Sequence, residues 1–86
     1  MFNIRYANHV EKDLRYLPRE IVERLLNKIE TVLKENPFAG AKLDYRGKEL
    51  YKYRVSTYRI VYTVNTEQKA IVIYRIRHRK EVYRGL

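Results

Sequence analysis

Eighty-six residues, 45% of them hydrophobic, are enough for a single domain, residues 1–86, around one modest core. The chain has no cysteine and only two isolated histidines, His9 and His78, which excludes a disulfide framework, a thiolate metal site and a zinc cluster. A net charge of +9, with no apolar run of membrane-spanning length and no signal-peptide core, points to a cytoplasmic protein that works without metal, cofactor or membrane.

Phe2 to Tyr6 alternates and predicts a first strand, with Phe2, Ile4 and Tyr6 facing inward. Asn8 with Glu11 resembles a capping box that opens a helix carrying Val10, Leu14 and Leu17. Pro18 breaks that helix and suits the first turn of a second one. Ile21, Leu25, Ile29, Val32 and Leu33 form its apolar stripe, and Asn36-Pro37 ends it. Residues 37–48 read as a long irregular stretch with turn signals at Gly40 and Gly47 and an anchor at Leu43.

Leu50 to Tyr62 predicts a tight hairpin turning at Ser56-Thr57. In that register Tyr53 faces Ile60, Tyr51 faces Tyr62 and Arg54 faces Arg59. Two like charges ~5 Å apart repel by roughly 0.8 kcal/mol in bulk water and about 3 kcal/mol at an effective dielectric of 20. A chain that keeps such a pair either holds it for an anion or lets both guanidiniums splay into water.

A last strand runs from Ala70 to Arg77. If Val64 pairs with Ala70, Arg59 faces Arg75, and Arg54, Arg59, Arg75 and Arg77 line one strip of the sheet. Val61, Ile71 and Ile73 would share that strip and offer apolar anchors to a partner. The predicted architecture is α+β in the order β-α-α-β-β-β, a helical hairpin packed on one face of a small antiparallel-rich sheet.

Charge placement narrows the function. Residues 1–43 carry 8 Lys/Arg against 6 Asp/Glu, whereas residues 44–86 carry 11 against 4 and hold seven of the nine tyrosines. Cations interleaved with aromatic rings suit single-stranded nucleic acid, because cations meet phosphates and rings stack on unpaired bases. No nucleophile elbow, P-loop, dinucleotide fingerprint or metal-ligand cluster is present. A basic strip can bind RNA, or it can stabilise the phosphorane formed when a ribose 2′-OH attacks its own 3′-phosphate.

The runs Tyr51-Lys52-Tyr53-Arg54-Val55, Tyr58-Arg59-Ile60-Val61-Tyr62 and Arg77-His78-Arg79-Lys80-Glu81-Val82-Tyr83 resemble the RelE/ParE superfamily of type II toxin–antitoxin toxins. Within it the chain is more similar to RelE, an mRNA interferase, than to ParE, a gyrase poison, whose members generally lack the basic set on the open sheet face. The resemblance implies ribosome-dependent, metal-independent cleavage of mRNA in the A site and inhibition of translation. It also implies an acidic, amphipathic cognate antitoxin. Carried over by position, Lys52, Arg54, Arg59, Arg77 and Tyr83 form the catalytic set, with Arg59 on the phosphate, Arg77 as general acid and Tyr83 orienting the substrate. Arg54 stands where a lysine is usual, which leaves Lys52, Tyr83 or His78 as proton acceptor. Arg75, His78, Arg79 and Lys80 would bind RNA. A gyrase inhibitor without nuclease activity, or a non-toxic nucleic-acid-binding relative, are the alternatives.

Overall fold

The computed structural model describes residues 1–78 and residue 80. The elements are β1 (Asn3–Tyr6), α1 (Asn8–Arg15), α2 (Arg19–Lys28) continued by a π-helical turn (Ile29–Leu33), β2 (Ala41–Tyr45), β3 (Lys48–Val55), β4 (Tyr58–Asn65) and β5 (Ala70–His78). Five strands form one mixed sheet in the order β1-β5-β4-β3-β2. β1 runs parallel to β5, and every other neighbouring pair is antiparallel. The α+β fold with helices on one face is as expected, but it has one strand more than the sequence suggested.

That extra strand is β2. The stretch expected to be irregular contains Ala41, Leu43 and Tyr45 on one face and Lys42 and Asp44 on the other, and it pairs with β3 from Ala41↔Lys52 to Tyr45↔Lys48. Its turn is Arg46-Gly47, both at positive φ (52° and 77°), the backbone of a type I′ hairpin. The helix starts also differ in detail. Ala7 occupies the N-cap of α1 and Asn8 lies inside the helix, while Pro18 is the N-cap of α2 rather than part of its first turn. Pro18 offers its carbonyl to the N–H groups of Ile21 and Val22, so its own missing N–H costs no helical bond.

The helical stripe lands as its spacing predicts. Leu25, Ile29 and Leu33 are fully buried, with Ile21 half-buried beside them. The last turn of this helix widens, and the Lys34 N–H donates to the Ile29 carbonyl at 3.0 Å. Across from the stripe lie Ile60, Tyr62, Ile71, Ile73 and Ile76, each at 0% exposure. Burying one such side chain contributes roughly 1.5–3 kcal/mol. Ile4 is half-buried, whereas Tyr6 reaches the surface at 39% exposure, so the first strand is only partly inward-facing.

The β4–β5 ladder starts at Asn65↔Ala70, not at the expected Val64↔Ala70, and then departs from a regular register. Tyr62 pairs with Ile73 but Val61 pairs with Arg75, so Tyr74 is an extra residue on β5. This bulge reverses the face on which odd and even residues point. It lets Ile71 and Ile73 enter the core ahead of it and Ile76 enter after it. Ile71 and Ile73 are therefore helix-side core residues, not anchors on the open face. Val61 does lie on the opposite face, but Leu50, Leu43 and Tyr45 cover it completely. Among the described residues no helix is long and apolar enough to cross a membrane.

Candidate functional site

The two-residue turn of the β3–β4 hairpin fixes its register, and the predicted pairings hold: Tyr51↔Tyr62, Tyr53↔Ile60 and Arg54↔Arg59. The turn adopts a positive φ of 55° at Ser56, a conformation that an L side chain enters at some cost. Beyond the bulge, Arg59 faces Arg77 rather than Arg75. Arg54, Arg59 and Arg77 thus stand directly opposite one another on three neighbouring strands. Arg59 folds toward the turn, donating from Nη1 to the carbonyls of Tyr58 at 3.1 Å and Ser56 at 3.3 Å.

β2 stops pairing at Ala41↔Lys52, so Tyr53, Arg54 and Val55 extend past it. A cleft of about 630 Å³ opens there, between residues 39–41 on one side and Lys52, Tyr53, Arg54, Arg59 and Lys80 on the other. Its loop wall is tied down by Tyr62. The Tyr62 hydroxyl donates to the Pro37 carbonyl at 2.7 Å and accepts from the Gly40 N–H at 3.1 Å. Burial, which outweighs the Gly40 bond, raises the Tyr62 phenol above its ordinary value and keeps it a donor. Gly40 is required by space: a Cβ there would lie 2.6 Å from both the Lys52 carbonyl oxygen and Tyr62 Oη.

The other end of the arginine row is built differently. β1 leaves β5 at Tyr6↔Ile73, and α1 continues along the edge that β1 vacates. Asp13 projects from α1 onto that edge. Its Oδ2 accepts the Ile76 N–H at 3.1 Å, and its Oδ1 accepts Arg75 Nη2 at 3.2 Å and Arg77 Nε at 3.1 Å. The Asp13 side chain is 2% exposed, Arg75 11% and Arg77 35%. One carboxylate therefore replaces a missing strand neighbour and neutralises part of the charge of two arginines.

The structure brings Lys52, Arg54, Arg59 and Lys80 together around one cleft. Arg77 and His78 line a second cleft of about 400 Å³, with Lys12, Tyr16 and Tyr58. The His78 ring meets Tyr58 edge-on at 5.8 Å, and its Nδ1 accepts the Lys80 N–H at 3.3 Å. Arg75 is corrected: it is a buried ion-pair partner of Asp13, out of reach of an RNA phosphate, because the shifted start of the ladder and the bulge together pair it with Val61 instead of Arg59. Arg79 and Tyr83 lie outside the described residues. Asp13 escaped notice in the sequence, although it sits three residues after Val10 and four before Leu17, on the stripe that α1 buries.

Residues 4–83 match the family described as ParE toxin of type II toxin–antitoxin system, parDE. The chain is 32% identical to RelE1 of Methanocaldococcus jannaschii over 98% of this chain and 97% of that one. Its fold superposes on the RelBE2 toxin–antitoxin complex of Mycobacterium tuberculosis with a TM-score of 0.83 at 26% identity, covering 90% of this chain and 96% of that one. The archaeal RelE–RelB complex of Pyrococcus horikoshii is similar at a TM-score of 0.69 and 29% identity, over 91% of this chain and 94% of that one. The chain belongs to the RelE/ParE superfamily of type II toxin–antitoxin toxins.

Proposed function

We propose that the chain is a ribosome-dependent mRNA endoribonuclease of the RelE type. The observation that carries this reading is the row Arg54–Arg59–Arg77 across three strands, beside a cleft that also presents Lys52 and Lys80. In the reaction the 2′-OH of a ribose loses its proton to a base, and its oxygen bonds to the adjacent phosphorus. The bond from phosphorus to the 5′-oxygen breaks, and that oxygen takes up a proton from solvent water. The products are a 2′,3′-cyclic phosphate and a 5′-hydroxyl. Lys52 serves as the base, Arg59 and Arg77 balance the charge building on the phosphate, and Arg54 holds the entering strand. Tyr83 orients the substrate, and His78, Arg79 and Lys80 bind flanking RNA. Arg77 acts as a counter-charge rather than a proton donor, since a guanidinium does not give up its proton in proteins.

The working place is the cytoplasm, where mRNA is translated. The partner is an acidic, amphipathic antitoxin that covers the basic cleft; that similar toxins form complexes with an antitoxin supports the partner itself. The match to a family named for ParE favours a second reading, a gyrase poison that cuts nothing. Primer extension on cellular mRNA after induced expression separates the two. Cuts inside reading frames with 5′-hydroxyl ends are expected. Intact mRNA with trapped gyrase–DNA complexes would replace the first reading by the second.

A further inference from the structure

We propose that Asp13 is a positioning residue for phosphate recognition: it fixes the Arg77 guanidinium beside Arg59 with its terminal nitrogens turned outward. The proposal deepens the reading above and rests on it for the reaction, though not for the phosphate site. Asp13 receives donors from three consecutive residues of β5, the side chains of Arg75 and Arg77 and the backbone N–H of Ile76. The backbone bond fixes one carboxylate oxygen, so the other cannot swing without breaking the cap on the strand edge.

The bond to Arg77 uses Nε. Arg77 Nη1 and Nη2 have no hydrogen-bond partner among the described residues, and the side chain is 35% exposed. A guanidinium gripped at Nε presents the remaining nitrogens as a planar fork, the geometry that matches two phosphate oxygens. An untethered arginine side chain loses much of its rotamer freedom on binding, and one already held at Nε has less to lose.

A purely structural clamp would need only the buried partner Arg75 and the strand-edge N–H. The third bond goes instead to a partly exposed residue whose neighbour across the sheet is Arg59. Electrostatics gives the same assignment. Arg59 and Arg77 repel each other across the strands, and a carboxylate on the far side of Arg77 offsets that repulsion before any anion arrives. Two arginines on one carboxylate still leave a net positive charge, so the site keeps its attraction for phosphate. Pre-organised charge of this kind accelerates the step in which charge develops more than it tightens binding.

The test compares single-turnover cleavage on ribosomes by the wild type, Asp13→Asn, Asp13→Glu, Arg77→Ala and the double variant Asp13→Asn/Arg77→Ala. Asp13→Asn is expected to slow the step at saturating ribosomes about 10-fold, a coupling within the usual range for side chains in contact. The half-saturating ribosome concentration should stay unchanged, and Asp13→Glu should recover most of the rate. The double variant should be no slower than Arg77→Ala. A double variant slowed by the full extra factor would overturn the proposal, because Asp13 would then act independently of Arg77.

If Asp13→Asn does not fold, Arg75→Met/Asp13→Asn against Arg75→Met carries the same comparison, since it removes the buried charge together with its counter-charge. A second readout uses inorganic phosphate and the Nε–H signal of Arg77 in NMR. A sharp, slowly exchanging signal and phosphate binding that both weaken in Asp13→Asn support the proposal, and an unchanged phosphate affinity overturns it. A wild-type chain that leaves mRNA intact sinks the endonuclease reading, and the phosphate readout then decides the role of Asp13 by itself.

Discussion

The two ends of the arginine row obey different rules. At β5, Arg75 and Arg77 meet a carboxylate that is 2% exposed, and the same carboxylate closes a strand edge. At β3, Arg54 is exposed and has no ion-pair partner among the described residues. The Lys42–Glu49 pair on the β2–β3 hairpin makes the contrast sharper. It is shorter, at 2.6 Å, but both side chains are more than 60% exposed, and such pairs contribute little. Burial, more than distance, separates charges that hold the fold from charges that remain available to a ligand.

The strongest way to break this comparison is Asp13→Ala. It leaves Arg75 buried without its counter-charge, so unfolding in urea should show a loss of about 3–5 kcal/mol. Arg59→Ala should do the reverse. Its urea midpoint should stay near that of the wild type, while single-turnover cleavage falls about 10²–10³-fold. Equal stability losses in the two variants would erase the distinction between the ends.

Tyr62→Phe comes next. It strands the Gly40 N–H and the Pro37 carbonyl, at about 1–3 kcal/mol. Because burial raises the Tyr62 phenol, its contribution is complete below the unfolded value of 10.0 and is lost as pH rises through the higher folded value. Wild-type stability measured by urea unfolding should therefore fall in that alkaline window, and the Phe variant should lack this component of the fall. The smallest effect is on salt dependence. Four phosphate contacts from Lys52, Arg54, Arg59 and Arg77 give a slope of roughly −2.8 for log K of single-stranded RNA against log salt. Arg54→Ala should reduce its magnitude by about 0.7, whereas Arg75→Met should leave it unchanged.

The hairpin from Leu50 to Tyr62 was legible in the sequence because one face is apolar and the other charged, so only one register satisfies both. The helical stripe was legible for the same reason. β2 was present as alternation in Ala41–Tyr45, but its five residues are short and three of them are Ala, Lys and Asp, which are sparse in strands. The bulge at Tyr74 left no mark, since Ile71 to Ile76 is apolar on both faces until Arg75. That residue and a ladder that starts at Asn65↔Ala70, one residue off the expected Val64↔Ala70, together moved Arg75 opposite Val61 and put Arg77 opposite Arg59. Asp13 needed three dimensions: its partners lie 62 to 64 residues away in the chain.

The bulge also leaves one position of β5 outside the count of the ladder. Tyr74 itself is 37% exposed, so many residues can occupy that position. Deleting it would restore an unbroken ladder and leave everything downstream in place, since Val61 already pairs with Arg75 and Arg59 with Arg77. Ile76 would still enter the core and Arg75 and Arg77 would still reach Asp13, whereas losing a paired residue of the strand would turn over the residues beyond it. The position tolerates both substitution and a gap, which the paired positions on either side of it do not.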